Sequence, residues 1–348
     1  MKMKRSALAV AAALSIAAFA LVGCTTDTPE ASAPTAGTSN GETPDSVDFR
    51  EAEAGSGDGL KLGYIALGDS IPFSKLVTES MKAQAEAAGA ELIVCDSAFD
   101  AAKALECVQN FKTQGVQGYL NFQLDSAAAA GICEAGPQVP VIAIDIEQKP
   151  CQTSFMGANN EAAGSLGGEA VGNYFKENFD CEYDAFVSLE QPAAGVVNDQ
   201  RLGGYRDGFE SVCGPIHDLR QVDAGGATDQ ARTVFADILT TLPSASKIIV
   251  VAINDDSILG ALAAARTAGR DGDIYVSGQG ADPSAHCEIA NNPNWIGDVA
   301  YFPERYGEIG IPYLIDLVTG TDVPAKLLVP HQVVNADNIG DIYDLSGC

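Results

Sequence analysis

Cysteine is the residue type in this 348-residue chain with the widest choice of chemistry, because it can form disulfides, bind metals or carry lipid. Cys24 stands near the N-terminus, and eight others follow. They are Cys95, Cys107, Cys133, Cys151, Cys181, Cys213, Cys287 and Cys348. A zinc site needs closer pairs than Cys95 and Cys107, and the chain has only three histidines. An even number of cysteines in an exported protein favours disulfides. Their connectivity does not follow from sequence, although sequential pairing is the simplest arrangement.

Ser70 is a candidate nucleophile. The string LGDSI at 67–71 resembles the nucleophile block of GDSL-type hydrolases, in which the serine follows a first strand. Such an enzyme needs a base, which that family supplies as Asp-x-x-His. No aspartate stands three residues before any of the histidines, which are His217, His286 and His331. The phosphate-binding loop, the Gly-x-Ser-x-Gly elbow and the His-Glu-x-x-His motif are also missing from the sequence. We therefore predict that the protein is not an enzyme and keep a hydrolase using Ser70 as an alternative.

The N-terminus has the layout of an export signal. Three basic residues within positions 2–5 precede an uncharged, Ala-rich run at 6–22 that is too short to span a membrane comfortably. The run ends at Leu21-Val22-Gly23-Cys24, which resembles the bacterial lipobox. We predict a signal peptide at 1–23 and a lipid on Cys24. An ordinary signal peptide, or an uncleaved anchor, with a chance cysteine is the alternative.

Charge argues against a nucleic-acid partner. The formal net charge is −27 at pH 7, and removing the basic leader would make it more negative. Phosphate binding needs clustered Lys and Arg. Residues 24–59 are rich in Thr, Ser, Pro, Gly and acidic residues, so they cannot bury enough apolar surface to offset ordering entropy. We predict that they form a disordered acidic tether.

Short β-rich runs alternate with helical segments from residue 60 onward, as in βαβ units with parallel sheets. Predicted strands lie at 60–67, 91–94, 118–122, 139–146, 185–189, 247–253 and 274–276, and predicted helices at 74–88, 101–113, 161–177, 230–239 and 257–268. The strands are nearly continuous apolar runs, which is typical of sheets covered on both faces. The length after the tether favours two α/β lobes over one domain.

Five blocks in order resemble the periplasmic binding proteins of the ribose-binding type. They are IPF at 71–73, VIAID at 141–145, GANNEAAG at 157–164, RLGGYRDGF at 201–209 and AINDDSILGAL at 252–262. The resemblance implies a type I fold of two Rossmann-like lobes with parallel sheets and a three-stranded hinge near Ala158, Tyr301 and Val329. The N-terminal lobe would comprise 60–158 and 302–328, and the C-terminal lobe 159–301 and 329–348. Each lobe would then hold four cysteines and close its own disulfides.

The resemblance also implies a ligand site at the carboxyl ends of the strands. The matching positions are Phe73, Asn121, Asp145, Arg201, Asn254 and Gln279. Each has a structural alternative: a core aromatic, a turn residue, a loop start, a surface residue or, for Asn254, a helix cap. Sugar-binding members carry arginine where this chain has Ile146 and an acidic residue where it has Gln279. Tyr301, Asn159 and Trp295 are secondary candidates that fit hinge or core positions better.

These features together predict a lipid-anchored solute-binding protein on the outer face of the cytoplasmic membrane. It would be a monomer that uses no cofactor or metal and captures a sugar or polyol for the permease of an ABC importer. Because Ile146 and Gln279 stand where sugar-binding members carry charged residues, a less hydroxylated ligand is an alternative. A binding partner of a membrane sensor is the alternative, whereas the export signal argues against a DNA-binding repressor with the same body.

Overall fold

A computed structural model describes residues 45–70 and 72–348. The predicted signal peptide, Cys24 and most of the predicted tether lie outside the described residues. Within the described part of the chain, no helix combines the length and apolarity that a membrane crossing requires.

Strands and helices alternate along the described chain. The strands are β1 (Lys61–Ala66), β2 (Glu91–Asp96), β3 (Gly118–Asn121), β4 (Val141–Ile144), β5 (Ser154–Ala158), β6 (Ala185–Glu190), β7 (Leu219–Asp223), β8 (Ile248–Ala252), β9 (Ile274–Gly280), β10 (Trp295–Ala300), β11 (Lys326–Val329) and β12 (Gln332–Val334). The helices are α1 (Pro72–Ala88), α2 (Ala101–Gln114), α3 (Ala129–Ala135), α4 (Asn160–Phe179), α5 (Val196–Cys213), α6 (Thr228–Thr241), α7 (Asp255–Thr267), α8 (His286–Asn291), α9 (Gly307–Thr319) and α10 (Ile339–Ile342).

The described strands form two six-stranded sheets, which define two lobes. The first lobe has the order β11-β5-β4-β3-β1-β2, and all of its strand pairs are parallel. The second lobe has the order β12-β10-β9-β8-β6-β7, in which only the short β12 runs antiparallel to its neighbour. The predicted α/β fold of two lobes is confirmed.

Each sheet is buried on both faces, which explains its continuous apolar strands. In β8, Ile248 and Val250 pack into one core cluster, and Ile249 and Val251 into the cluster on the opposite face. Helices α1 and α9 cover one face of the first sheet, and α2 and α3 cover the other. The two cores of each lobe therefore hold the carboxyl ends of its strands in fixed positions.

The chain passes between the sheets three times. It leaves the first sheet after Ala158, returns after Ala300, and leaves again after Val329. His331 lies at this hinge, where its Nε2 accepts a hydrogen bond from the Asn159 N–H at 3.2 Å and its Nδ1 lies 3.2 Å from the Ala300 carbonyl oxygen. Burial lowers the pKa of His331 to about 4, so the ring is neutral at pH 7. All three crossing segments therefore meet at one imidazole.

The segment at 45–59 corrects the predicted extent of the tether. The Val47 N–H donates to the Leu328 carbonyl at 2.9 Å, and the Arg50 N–H donates to the Glu308 carbonyl at 3.0 Å. The side chains of Val47, Phe49 and Ala52 pack against the core of the first lobe. Low average hydrophobicity hid these few anchoring residues, so the tether cannot extend to residue 59.

Four disulfides join the eight cysteines of the described residues. The pairs are Cys95–Cys107, Cys133–Cys151, Cys181–Cys213 and Cys287–Cys348. This is the sequential arrangement, and each bond closes within one lobe. The disulfides therefore brace each lobe without tying the two lobes together.

Candidate ligand site between the lobes

A cavity of about 460 Å³ lies where the carboxyl ends of the two sheets face each other. Its polar lining side chains are Ser74, Asp145, Asn160, Gln191 and Arg201. Its aliphatic and phenylalanine lining includes Leu67, Phe73, Phe122, Leu124, Ile146 and Val197. The hydroxyl-bearing rings of Tyr301 and Tyr306 complete the wall. Both lobes contribute, so a molecule in the cavity would contact both.

Asp145 supplies the carboxylate of the first lobe. It follows β4 with a left-handed backbone (φ 56°), which aspartate tolerates better than most residues, and its N–H donates to the Met156 carbonyl at 2.8 Å. Burial raises the pKa of Asp145 to about 7, while the charge of Arg201 and a 3.4 Å hydrogen bond from the Tyr306 hydroxyl act in the opposite direction. Because burial opposes charge on Asp145, a ligand hydroxyl that donates to it would stabilise its charged form.

Arg201 supplies the cation of the second lobe. It lies in the second turn of α5, where its Nε donates to Asn160 Oδ1 at 2.8 Å and its Nη1 donates to the Ile253 carbonyl at 3.1 Å. The guanidinium carbon lies 4.6 Å from the centroid of the Tyr301 ring, a cation–π distance. Because a guanidinium has five N–H donors, Arg201 keeps several for a ligand.

Phe73 provides an aromatic wall. It is the second residue of α1, and its ring meets Tyr306 edge to face at 5.5 Å between centroids. Phe73 also packs against a small apolar cluster that includes Tyr301 and Ala163 of the second lobe. The predicted Phe73, Asp145 and Arg201 are thus brought to one cavity.

The other three predicted residues do not line this cavity. Asn121 is fully buried at the end of β3. Asn254 caps α7, since its Oδ1 accepts from the Ser257 N–H at 3.1 Å and its Nδ2 donates to the Gly226 carbonyl. Gln279 is buried, and its Oε1 accepts a hydrogen bond from the Tyr301 hydroxyl at 2.5 Å. Asn254 therefore takes the capping role that its position before a helix allows, and Gln279 orients a residue of the wall.

Two secondary candidates also have structural roles. Asn159 caps α4 by accepting from the Ala162 N–H, and Trp295 is buried in β10. Sequence reasoning missed Tyr306 and Asn160 as lining residues. Tyr306 enters from the segment that returns to the first lobe after residue 300, and no local pattern marks it.

A pair of carboxyl groups is buried behind the cavity in the second lobe. Asp255 Oδ1 and Asp298 Oδ2 both approach the space above Gly278, and neither has another hydrogen-bond partner among the described residues. Asp255 Oδ2 accepts a hydrogen bond from the Asp282 N–H, and Asp298 Oδ1 accepts one from the Ala281 N–H. Burial raises the pKa of Asp298 to about 6, and burial with the charge of Asp298 raises that of Asp255 well above its usual range. Burial therefore favours keeping a proton on the pair over charging both carboxyl groups.

The histidines do not complete a hydrolase site at Ser70. His217 stacks on Tyr183 at 4.0 Å, and His286 stacks on Tyr343 at 4.3 Å, both in the second lobe. His331 is engaged at the hinge. Ser70 itself is exposed after β1. Residues 67–70 of the GDSL-like string thus belong to the loop that follows the first strand of a binding lobe.

Comparisons with known proteins agree with this architecture. The periplasmic binding protein domain family matches residues 62–322. The ribose import binding protein RbsB of Escherichia coli is 25% identical over 268 residues, which cover 76% of this chain and 86% of the relative.

Solved structures show the same fold. A periplasmic ribose ABC transporter protein from Conexibacter woesei has a TM-score of 0.69 at 20% identity, covering 83% of this chain and 96% of that one. A solute-binding protein from Actinobacillus succinogenes with bound D-allose has a TM-score of 0.68 at 20% identity, covering 81% and 99%. These relatives are solute-binding proteins rather than enzymes. Because the family match spans most of the chain and both lobes, the chain belongs to the periplasmic binding protein domain family.

Proposed function

We propose that this protein captures a sugar or polyol outside the cytoplasm and delivers it to the permease of an ABC importer. The observation that carries the proposal is the placement of Asp145 and Arg201, from opposite lobes, on one cavity beside aromatic walls. A carboxylate accepts and a guanidinium donates, so together they match both functions of a hydroxyl group. The names of the relatives, which include ribose import binding proteins, support the same class of ligand.

Binding would act by shifting the lobes toward a closed arrangement. A ligand that contacts Asp145 and Arg201 together gains more free energy when the lobes are close, and this difference shifts the population. No disulfide among the described residues joins the lobes, so hinge bending need break no covalent bond. The permease would recognise the closed face.

The proposal includes attachment to the membrane through a lipid on Cys24. The Leu-Val-Gly-Cys string supports lipidation of Cys24. Because residues 45–59 pack on the first lobe, the free tether would comprise 24–44. Replacing Cys24 with serine should move the protein from the membrane fraction to the soluble fraction. Retention of Cys24→Ser in the membrane fraction would contradict lipid anchoring without affecting sugar binding.

Thermal unfolding in the presence of candidate ligands tests the binding function. The panel contains pentoses, hexoses, deoxy sugars, polyols, nucleosides and amino acids. A ligand present at 100 times its Kd stabilises the native state by about 2.7 kcal/mol. We expect stabilisation by sugars or polyols. Stabilisation by amino acids or nucleosides alone, or by nothing in the panel, would refute the proposal.

Alanine variants test the site. Asp145→Ala or Arg201→Ala should weaken binding of the best ligand by about 1.5 to 3 kcal/mol, the usual scale for hydrogen bonds to charged groups. Arg232→Ala is the matched control, since Arg232 is an exposed arginine on α6 away from the cavity. Equal affinities in all three variants would show that the ligand binds elsewhere.

A further inference from the structure

Apolar side chains from both lobes line part of the cavity. We call this part the apolar flank, and its residues are Leu67, Phe122, Leu124, Ile146 and Val197. Ile146 follows Asp145 directly, so the side chain next to the carboxylate offers no hydrogen bond. Val197 faces the cavity from the opposite lobe, in the first turn of α5. The flank therefore lines the same cavity as Asp145, from both lobes.

The flank includes apolar surface that the protein leaves uncovered. Four large apolar side chains are exposed among the described residues, and two of them border the cleft. Leu124 is 51% exposed at the cavity, and Val196 lies on the adjoining space that shares Asp145 and Ile146 with it. They come from opposite lobes. A ligand with an apolar edge would cover Leu124, which water now contacts.

Most polar groups in the cavity are already bonded to the protein. The Tyr306 hydroxyl donates to Asp145, the Tyr301 hydroxyl donates to a buried glutamine, and Asn160 accepts from Arg201. The groups left to bind a ligand include the second carboxylate oxygen of Asp145, the other N–H groups of Arg201 and the amide of Gln191. None of them belongs to the flank, so ligand hydroxyls that face the flank would lose their hydrogen bonds with water.

We propose that the ligand is a deoxy sugar or deoxy polyol, which presents hydroxyls to Asp145 and Arg201 and a methyl or methylene edge to the apolar flank. This inference rests on the proposed sugar-binding function and narrows it to a chemical class. A hydrophobic pocket discriminates against one added hydroxyl by about 100-fold at most. The preference is therefore measurable within matched pairs of sugars.

Calorimetric titration of the full chain with such pairs is the test. The members of each pair share one configuration and differ by one hydroxyl: D-fucose and D-galactose, L-rhamnose and L-mannose, D-quinovose and D-glucose, 2-deoxy-D-ribose and D-ribose. We expect the deoxy member of at least one pair to bind about 10-fold to 100-fold more tightly. Ile146→Asn should reduce that ratio toward one because it places an amide at the flank. Leu219→Asn, at an exposed position on β7 in the second lobe, is the control and should preserve the ratio.

The possible failures are distinguishable. Equal or tighter binding of the fully hydroxylated member in every pair that binds would overturn the deoxy inference and leave the sugar-binding function standing. An unchanged ratio in Ile146→Asn would also overturn it, because the preference would then arise away from the flank. No binding by any member of any pair would overturn this inference, and the thermal panel of sugars and polyols would then decide separately whether the proposed function stands.

Discussion

The contact between α4 and α5 fixes the position of Arg201. Gly164 of α4 lies directly against the backbone of Arg201 in this contact. A Cβ added at Gly164 would lie 2.2 Å from the carbonyl oxygen of Arg201. The contact is reciprocal, since a Cβ at Gly204 would lie 2.3 Å from the Glu161 carbonyl oxygen and one at Gly208 would lie 2.1 Å from that of Ser165. The two helices thus touch backbone to backbone. No side chain can rotate away to make room.

Gly164→Ala should therefore push α5 outward together with Arg201. Real Cβ atoms stay at least 3.0 Å from such neighbours, so the separation must grow by about 0.8 Å. Overpacking costs about 1 to 3 kcal/mol, and the upper end applies because backbone is opposed to backbone. Better helix propensity returns up to about 1 kcal/mol. The expected net loss of about 2 kcal/mol lowers Tm by roughly 4 to 8 °C.

Thermal unfolding followed by circular dichroism, with disulfides intact, measures the effect. Gly203→Ala is the matched control on α5, because its Cβ would meet only Arg206 Nη2 at 3.9 Å. That variant should unfold at or slightly above the temperature of the wild type. Gly164→Ala should also bind the best sugar more weakly, since Arg201 moves. If both variants unfold within about 1 °C of each other, the backbone contact is not as close as the structure has it.

Two further predictions concern the second lobe. Because the fold raises the pKa of Asp255, folding takes up a proton, and stability should fall as pH rises from about 4 toward the folded pKa by up to about 1.4 kcal/mol per unit. In urea unfolding between pH 4 and 8, Asp255→Asn should flatten this dependence of stability on pH. The exposed Asp256→Asn should not. Equal slopes in the two variants would contradict the shared proton. Replacing Cys287 and Cys348 with serine opens a loop of 61 residues and should cost about 4 kcal/mol in urea unfolding, by chain entropy. A loss below about 1 kcal/mol would show that the C-terminal segment is held without the bond.

Most of the fold was predictable because many strands are unbroken runs of apolar residues. Strands such as β8 are recognisable because every residue from Ile248 to Ala252 is apolar and buried. The edge strand β7 was missed because its residues alternate between exposed and partly buried positions and include Arg220 and Gln221. Strand β10 was missed because Gly297 and Asp298 interrupt its apolar run, although both lie inside the sheet. Polar residues therefore concealed both strands, at the exposed edge in β7 and inside the sheet in β10.

The candidate site was predictable only in part. Asp145 directly follows β4, and Phe73 and Arg201 lie in the first two turns of α1 and α5, where the family resemblance places ligand contacts. Asn254 was ambiguous because a residue that ends a strand also begins a helix, and here it caps the helix. Tyr306 could not be found from local sequence, because it reaches the cavity only through the second crossing between the lobes.

A crystal structure of the chain with the best-binding sugar tests the central claim most directly. The account predicts one sugar between the lobes, with ring hydroxyls within about 3.2 Å of both the Asp145 carboxylate and the Arg201 guanidinium. A sugar bound on the outer surface of one lobe, or one that contacts neither side chain, would contradict it.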